Sequence, residues 1–234
     1  MSRNPGKPPI INAPLPVTVF AVVLLAAHGV RVLLPSGLQN YAYFHGALIP
    51  ERFWADAGGA AAGALPAYGS VLTAAASTVT SAFLHGDWMH VVLNSALLVA
   101  MAKPLLELFR RVWPGREPAA TGMLLALFLA AQVTASLTYL AMNYPDGPIA
   151  VGASGGISGL LAALLLLRGG PDQWLLTRGF LVASALFVVA NALLAVLGPS
   201  LLGAGIAWQA HIGGYLGGAL FMRLVLWRMA AGAA

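Results

Sequence analysis

Residues 151–168 of this 234-residue chain read VGASGGISGLLAALLLLR, an apolar stretch whose first nine residues include four glycines and two serines. At about 17 residues it falls short of the roughly 20 apolar residues that span a membrane. Pro145, Gly147 and Pro148 precede it, so we predict a helix that begins at or just before Ser154, below the outer membrane surface. This short helix is the feature around which the other segments are arranged.

The composition of the whole chain supports a membrane protein. Hydrophobic residues make up 59% and charged residues 8%, whereas a soluble domain carries about 25% charged residues. The absence of cysteine excludes disulfides, thiol catalysis and zinc–thiolate sites. The net charge of +5 is explained below by membrane topology, and no nucleic-acid partner is predicted.

Six segments are apolar and long enough to span a bilayer or nearly so, and they follow one another closely: 16–34, 84–102, 121–142, 152–168, 178–198 and 207–228. We therefore predict a cytoplasmic tail over 1–15, one six-span membrane domain over 16–228 and a C-terminal tail over 229–234. The domain includes a first extracytoplasmic loop, 35–83, whose prolines, glycines and aromatic residues favour a structured interfacial segment.

The basic residues indicate the orientation of these spans. With both termini in the cytoplasm, ten of the 12 lysines and arginines lie inside, and only Arg31 and Arg52 lie outside. This distribution follows the positive-inside rule. We predict an all-α membrane protein with its N and C termini in the cytoplasm and an even number of spans.

Ser154 lies at the predicted start of the fourth span, where the helix dipole and unpaired backbone N–H groups favour negative charge. Those conditions suit an attacking serine and the oxyanion that it forms. The other interpretation is structural: Ser154 caps the helix, and the glycine pairs Gly152/Gly156 and Gly155/Gly159 pack against a neighbour.

His211 opens the last span, and Gly214 and Gly218 lie on its own face of that helix. A glycine stripe lets another backbone approach closely, and the glycine-rich fourth span is the natural partner. If the two pack, Ser154 and His211 come within hydrogen-bond reach, with His211 as general base. The alternative is a histidine bonded to a backbone carbonyl.

Three polar residues, His85, His90 and Asn94, lie in the second predicted span. At 100° per residue, His90 and Asn94 are about 40° apart, while His85 is about 140° from His90. A shared face suits two donors to a transient anion, and it equally suits a polar packing pair. The spacing of the histidines argues against a metal site that would include His211. No carboxylate at membrane depth is present to complete a Ser-His-Asp triad, so we predict a Ser-His dyad without metal or cofactor.

Three ordered motifs together resemble the rhomboid family of intramembrane serine proteases, over roughly residues 15–228. They are H-x4-H-x3-N (His85, His90, Asn94), G-x-S-G (Gly152, Ser154, Gly155) and A-H-x-x-G (Ala210, His211, Gly214). The resemblance implies a six-helix bundle with the short fourth helix at its centre. It also implies a cavity open to the outside and a lateral gate for the substrate at 178–198.

The same resemblance implies roles for individual residues. Ser154 would be the nucleophile and His211 its general base, while His90, Asn94 and the Ser154 backbone N–H would hold the oxyanion. His85 would order the first loop. The glycines of the motifs, Gly152, Gly155 and Gly214, would be structural.

The chain departs from the family pattern at two places. Ala76-Ser77 stands where many relatives carry Trp-Arg, and Ser158 stands where many carry an aromatic residue that stacks on the catalytic histidine. We expect His211 to be held instead by a hydrogen bond from Ser158 or by packing of Tyr215. Asn191 is either a packing contact or a residue that tunes the gate.

The function predicted from the sequence is an intramembrane serine endopeptidase that cuts transmembrane proteins near the outer face of a bilayer, with no cofactor. We expect it in a bacterial cytoplasmic membrane; its oligomeric state is left open. One alternative is an inactive rhomboid-like protein that binds transmembrane helices. A small-solute channel is less consistent with the apolar inner halves of the second, fourth and sixth spans.

Overall fold

The computed structural model describes residues 12–56, 65–168, 175–202 and 205–231, and the regular elements within these ranges are helices. A single turn of 3-10 helix, Ser81–Phe83, follows the fourth α-helix. The α-helices, in chain order, are α1 (Leu15–Leu33), α2 (Ser36–Gly46), α3 (Pro50–Asp56), α4 (Val71–Thr80), α5 (Trp88–Val112), α6 (Glu117–Met142), α7 (Ser154–Arg168), α8 (Arg178–Leu202) and α9 (Trp208–Ala231).

Four of these helices, α1, α5, α6 and α8, are long and apolar enough to cross a membrane, which indicates an integral membrane protein. The predicted fourth span is α7, whose 15 residues extend about 22 Å at the α-helical rise of 1.5 Å per residue. The predicted sixth span is α9, which has 24 residues but lacks an 18-residue window as apolar as those of the four. Its packing accounts for this, because the glycines of α9 lie closely against α6 and α7.

The predicted bounds of the second span were wrong. Helix α5 begins at Trp88, where the Asp87 carboxylate accepts a hydrogen bond of 2.8 Å from the His90 N–H, and it continues past residue 102 to Val112. His85 therefore lies in the loop before the helix. The helical angle assigned to His85 from the sequence does not apply.

Helix α9 packs on α7 through facing glycines. A Cβ atom added to Gly214 would lie 2.0 Å from the Gly155 carbonyl oxygen, and one added to Gly218 would lie 2.4 Å from the Cα of Gly159. Contacts this short exclude any side chain between the two backbones. The two stripes thus bring the N-terminal ends of α7 and α9 together, as their spacing predicts.

A second pair of glycines on α9 faces α6. Added Cβ atoms at Gly213 and Gly217 would lie 2.3 Å and 1.8 Å from the hydroxyl oxygens of Thr138 and Thr134. Because both glycine pairs are covered by protein, α9 needs fewer lipid-compatible side chains than an outer span. Its lower apolarity follows from this central position.

The first loop is structured, as predicted, and its described part is largely helical. Arg52, only 1% exposed, is the centre of its packing. The guanidinium lies 3.5 Å from the Phe44 ring centroid and 4.1 Å from that of Tyr68. It also donates to the carbonyls of Phe44, Pro66 and Ala67, so one side chain joins both halves of the loop.

The first loop is connected in turn to the segment that precedes α7. Leu48 and Ala150 exchange two backbone hydrogen bonds of 3.0 and 2.9 Å, and the Gly152 N–H donates to the Ser81 carbonyl at 2.9 Å. The Tyr68 hydroxyl accepts from the Ile49 N–H at 2.9 Å, which fixes the residue next to Leu48. Loop packing around Arg52 thus extends to the backbone just before Ser154.

Replacing Gly218 with alanine should destabilise the protein by about 1–3 kcal/mol, because a methyl group would have to separate α9 from the backbone of α7. The measurement is the thermal unfolding midpoint in detergent micelles. Gly122→Ala is the matched control, since Gly122 is also helical but has nothing within 4 Å of an added Cβ. An equal midpoint for the two variants would contradict the close approach of α7 and α9.

Replacing Arg52 with methionine should destabilise the first loop by about 2 kcal/mol or more, because three carbonyls lose a charged donor. Arg52→Lys should have an intermediate effect, since it keeps the cation between the rings but lacks the planar fork of donors. Thermal unfolding of both variants, with Arg178→Met at an exposed position as control, measures this. If Arg52→Met unfolds at the wild-type temperature, Arg52 does not hold the loop.

Candidate active site

Ser154 and His211 meet where α7 and α9 begin. Ser154 is the first residue of α7, His211 lies in the first turn of α9, and the Ser154 Oγ is 2.8 Å from the His211 Nε2. The neighbouring Gly155/Gly214 contact brings the two backbones close enough for these side chains to reach each other. A hydroxyl hydrogen-bonded to an imidazole is the arrangement that activates a serine for attack.

The other imidazole nitrogen of His211 contacts a residue of α8. His211 Nδ1 lies 2.7 Å from the Asn191 Oδ1, and the Asn191 Nδ2 donates to the Phe187 carbonyl at 3.0 Å. A carbonyl only accepts, so it takes the amide N–H and leaves the amide oxygen toward His211. His211 then carries its proton on Nδ1 and presents the Nε2 lone pair to Ser154.

This geometry corrects the predicted support of His211. The Ser158 hydroxyl donates to the Ser154 carbonyl at 2.8 Å, within its own helix, and the Tyr215 hydroxyl pairs with Ser184 at 2.8 Å. Tyr215 stacks on Phe187, with ring centroids 4.3 Å apart. Sequence reasoning did not assign Asn191 to His211, and the available signal was its amide within an otherwise apolar helix.

His90 and Asn94 lie against the backbone that leads into α7. Gly152 has a φ of +117°, and a Cβ atom there would lie 2.8 Å from the His90 Nε2 and 3.3 Å from the Asn94 Nδ2. Glycine at 152 therefore allows both the left-handed backbone and the approach of two polar side chains. Since Gly152 is not helical, it forms no helical pair with Gly156.

The amide of Asn94 is an unsatisfied donor. Its Nδ2 is buried and has no hydrogen-bond partner among the described residues. A buried donor without a partner carries a desolvation penalty of about 1–3 kcal/mol, so such groups call for an explanation. Asn94 thus keeps an unpaired N–H donor next to the backbone of Gly152.

The backbone of His85 contacts both α1 and the first loop. Its carbonyl accepts from the Arg31 Nη2 at 3.2 Å and from the Tyr43 hydroxyl at 2.7 Å. Its ring is fully buried and packs 5.0 Å from the His90 ring. Burial, with smaller contributions from neighbouring positive charges, lowers the pKa of His85 to about 3. The imidazole is therefore neutral at physiological pH.

A cavity of about 20 Å³ lies beside Ser154, and a cavity of roughly 10–15 Å³ is enough for one water. The residues that line it include the polar Ser81, Gln132 and Ser136. The Gln132 Oε1 also accepts from the Gly156 N–H at 3.0 Å, which ties the first turn of α7 to α6. No three His, Cys, Asp or Glu side chains in the described ranges are placed to hold a metal ion.

Comparison with known proteins gives one family. Residues 73–228, about two thirds of the chain, match the family model described as a Rhomboid domain. The match covers α5 to α9 and the site residues, while most of the first loop, including Arg52, precedes it. A search of curated proteins finds no match.

Proposed function

The chain belongs to the rhomboid family, and we propose that it is an intramembrane serine endopeptidase with Ser154 as nucleophile and His211 as general base. The observation that carries this proposal is the 2.8 Å contact between the Ser154 Oγ and the His211 Nε2. The tautomer of His211 supports it, because the imidazole nitrogen that faces Ser154 is the one able to accept a proton. The first turns of α7 and α9 hold Ser154 and His211 within hydrogen-bond distance of each other.

In the proposed reaction, the Ser154 Oγ attacks the scissile carbonyl carbon while its proton passes to the His211 Nε2. The carbonyl oxygen becomes an oxyanion, for which the Asn94 amide, the His90 imidazole and the Ser154 backbone N–H are the proposed donors. The C–N bond then breaks, and the imidazolium returns the proton to the leaving amine. An ester between Ser154 and the new carboxyl-terminal residue of the substrate remains.

Water completes the turnover. His211 removes a proton from a water molecule, whose oxygen attacks the ester carbonyl, and the proton returns to the Ser154 oxygen as the ester breaks. The small cavity lined by Gln132 and Ser136 is a suitable reservoir for that water beside the nucleophile. The proposed chemistry uses protein side chains and water, with no metal or cofactor.

The proposed setting is a six-span bundle in a bacterial cytoplasmic membrane, with both termini in the cytoplasm. Members of this family act on transmembrane proteins within the bilayer, and we propose the same substrate class here. The site then opens toward the outer face, since Ser154 begins a short helix. A substrate helix has to unwind to present its carbonyl, so glycine or proline near the cut favours cleavage.

Ser154→Ala and His211→Ala should each abolish cleavage of a reconstituted single-span reporter with a Gly/Ala-rich outer juxtamembrane segment. The physical reason is that neither a nucleophile nor a base remains at the site. The measurement is the appearance of the two fragments in proteoliposomes. Ser200→Ala and His45→Ala, at exposed positions, are the matched controls and should cut at the wild-type rate.

The same experiment separates the two candidate functions. Cleavage that survives Ser154→Ala would overturn the proposed nucleophile. If the wild type cuts nothing and no fluorophosphonate labels Ser154, an inactive rhomboid-like protein that binds transmembrane helices becomes the better account. Labelling without cleavage would mean that the nucleophile is active and that the reporter is not a substrate.

Asn94→Leu should lower kcat by about 10²- to 10³-fold, as expected when one donor to a developing oxyanion is removed. The apparent KM should change little, because the donor acts on charge that appears after binding. Steady-state cleavage of the same reporter gives both constants. Ser95→Ala, next to Asn94 in α5, is the control. A purely structural role would instead lower the unfolding temperature and leave kcat of the folded fraction intact.

A further inference from the structure

The residue that contacts the distal nitrogen of His211 comes from the least buried of the candidate spans. Only 11% of the most apolar window of α8 is buried, against 50% in α6. Within α8, Asn191 is nevertheless only 4% exposed. A polar side chain buried in an otherwise lipid-facing helix has a specific partner, and here that partner is His211.

Two features make Asn191 suited to orient an imidazole. Its Nδ2 is anchored to the Phe187 carbonyl one turn earlier, so the side chain is fixed before it meets α9. Its Oδ1 then faces the His211 Nδ1 at 2.7 Å as a pure acceptor. A neutral amide oxygen fixes the ring and the position of the proton without adding a charge in the bilayer.

We propose that Asn191 is a positioning residue, which holds His211 as the Nδ1–H tautomer with Nε2 directed at Ser154. Ser154, His211 and Asn191 then form a hydrogen-bonded triad whose three members lie on three different helices, α7, α9 and α8. The effect on catalysis rests on the proposed function. The effect on the tautomer does not, because it follows from the hydrogen bonds alone.

The competing explanation is that Asn191 only docks α8 on α9. The chain provides a matched control for this, because Ser184 is a second α8 side chain, within the described part of the chain, that is hydrogen-bonded to an α9 side chain, the Tyr215 hydroxyl at 2.8 Å. Ser184→Ala weakens the same helix contact without touching His211. Any effect special to Asn191 must therefore be absent from Ser184→Ala.

The first measurement is the ¹⁵N spectrum of histidine-labelled protein in micelles, with the His211 signals identified by their loss in His211→Ala. The wild type should show a protonated Nδ1 and an unprotonated Nε2. Asn191→Leu, similar in size but without an acceptor, should shift His211 toward the Nε2–H form or a mixture. Asn191→Asp, which keeps an oxygen acceptor, should retain the Nδ1 proton, and Ser184→Ala should resemble the wild type.

The second measurement is cleavage of the single-span reporter by the same variants. Asn191→Leu should lower kcat by about 10²-fold or more with little change in KM, because the wrong tautomer cannot accept the Ser154 proton. Asn191→Asp should have a kcat much closer to that of the wild type than Asn191→Leu has. Should the leucine variant not fold, Asn191→Ala takes its place in both measurements, with the unfolding midpoint as the check.

The outcomes are distinguishable. A wild-type tautomer and wild-type kcat in Asn191→Leu would overturn the positioning role, as would an equal loss of kcat in Ser184→Ala. A tautomer shift in a protein that neither cuts nor reacts with a fluorophosphonate would support the positioning role while the proposed protease activity fails. Cleavage that depends on Ser154 but not on Asn191 would support the proposed protease activity and overturn the role of Asn191 in it.

Discussion

The backbone contact between α7 and α9 is the constraint on which the rest of the structure depends. Both helices begin at the site, and Ser154 and His211 extend from their first turns toward each other. Because Gly155 and Gly159 face Gly214 and Gly218 with no room for a Cβ, neither helix can shift without losing that packing. In a bilayer, where lipid tails are as apolar as leucine, close packing of small residues of this kind is the main force between helices.

The first loop also supports the segment that precedes α7. Relatives that carry Trp-Arg before the second span have a cation at a place where this chain has Ala76-Ser77. Arg52 provides a buried cation elsewhere in the same loop, between two aromatic rings and three carbonyls. Through the Leu48–Ala150 backbone pair, this packing reaches the segment that sets the unusual backbone of Gly152.

The sequence predicts the membrane-spanning helices well, but it predicts only some of the contacts between helices. Apolar length locates the six predicted spans to within a few residues at most ends, and glycine spacing predicts that α7 and α9 pack. The region of α2, α3 and α4 was predicted only as a structured loop. Asn191 and Arg52 show where such reasoning stops. The sequence marks both as unusual, one as an amide in an apolar helix and the other as a cation in an aromatic loop. Their partners depend on the rotation of α8 and on the path of the first loop, which no local pattern encodes.

Asn191 links His211, the proposed base, to a helix of which little is buried. Helix α8 meets α9 through Ser184 and Asn191 and through the stack of Tyr215 on Phe187, while most of its remaining surface is exposed. The orientation of His211 therefore depends on α8 being docked. If a substrate helix displaced α8 far enough to break the 2.7 Å contact, the base would lose its orientation as the substrate arrived. Under the proposed function, productive binding leaves the middle of α8 in place, and any opening of this helix is restricted to its ends.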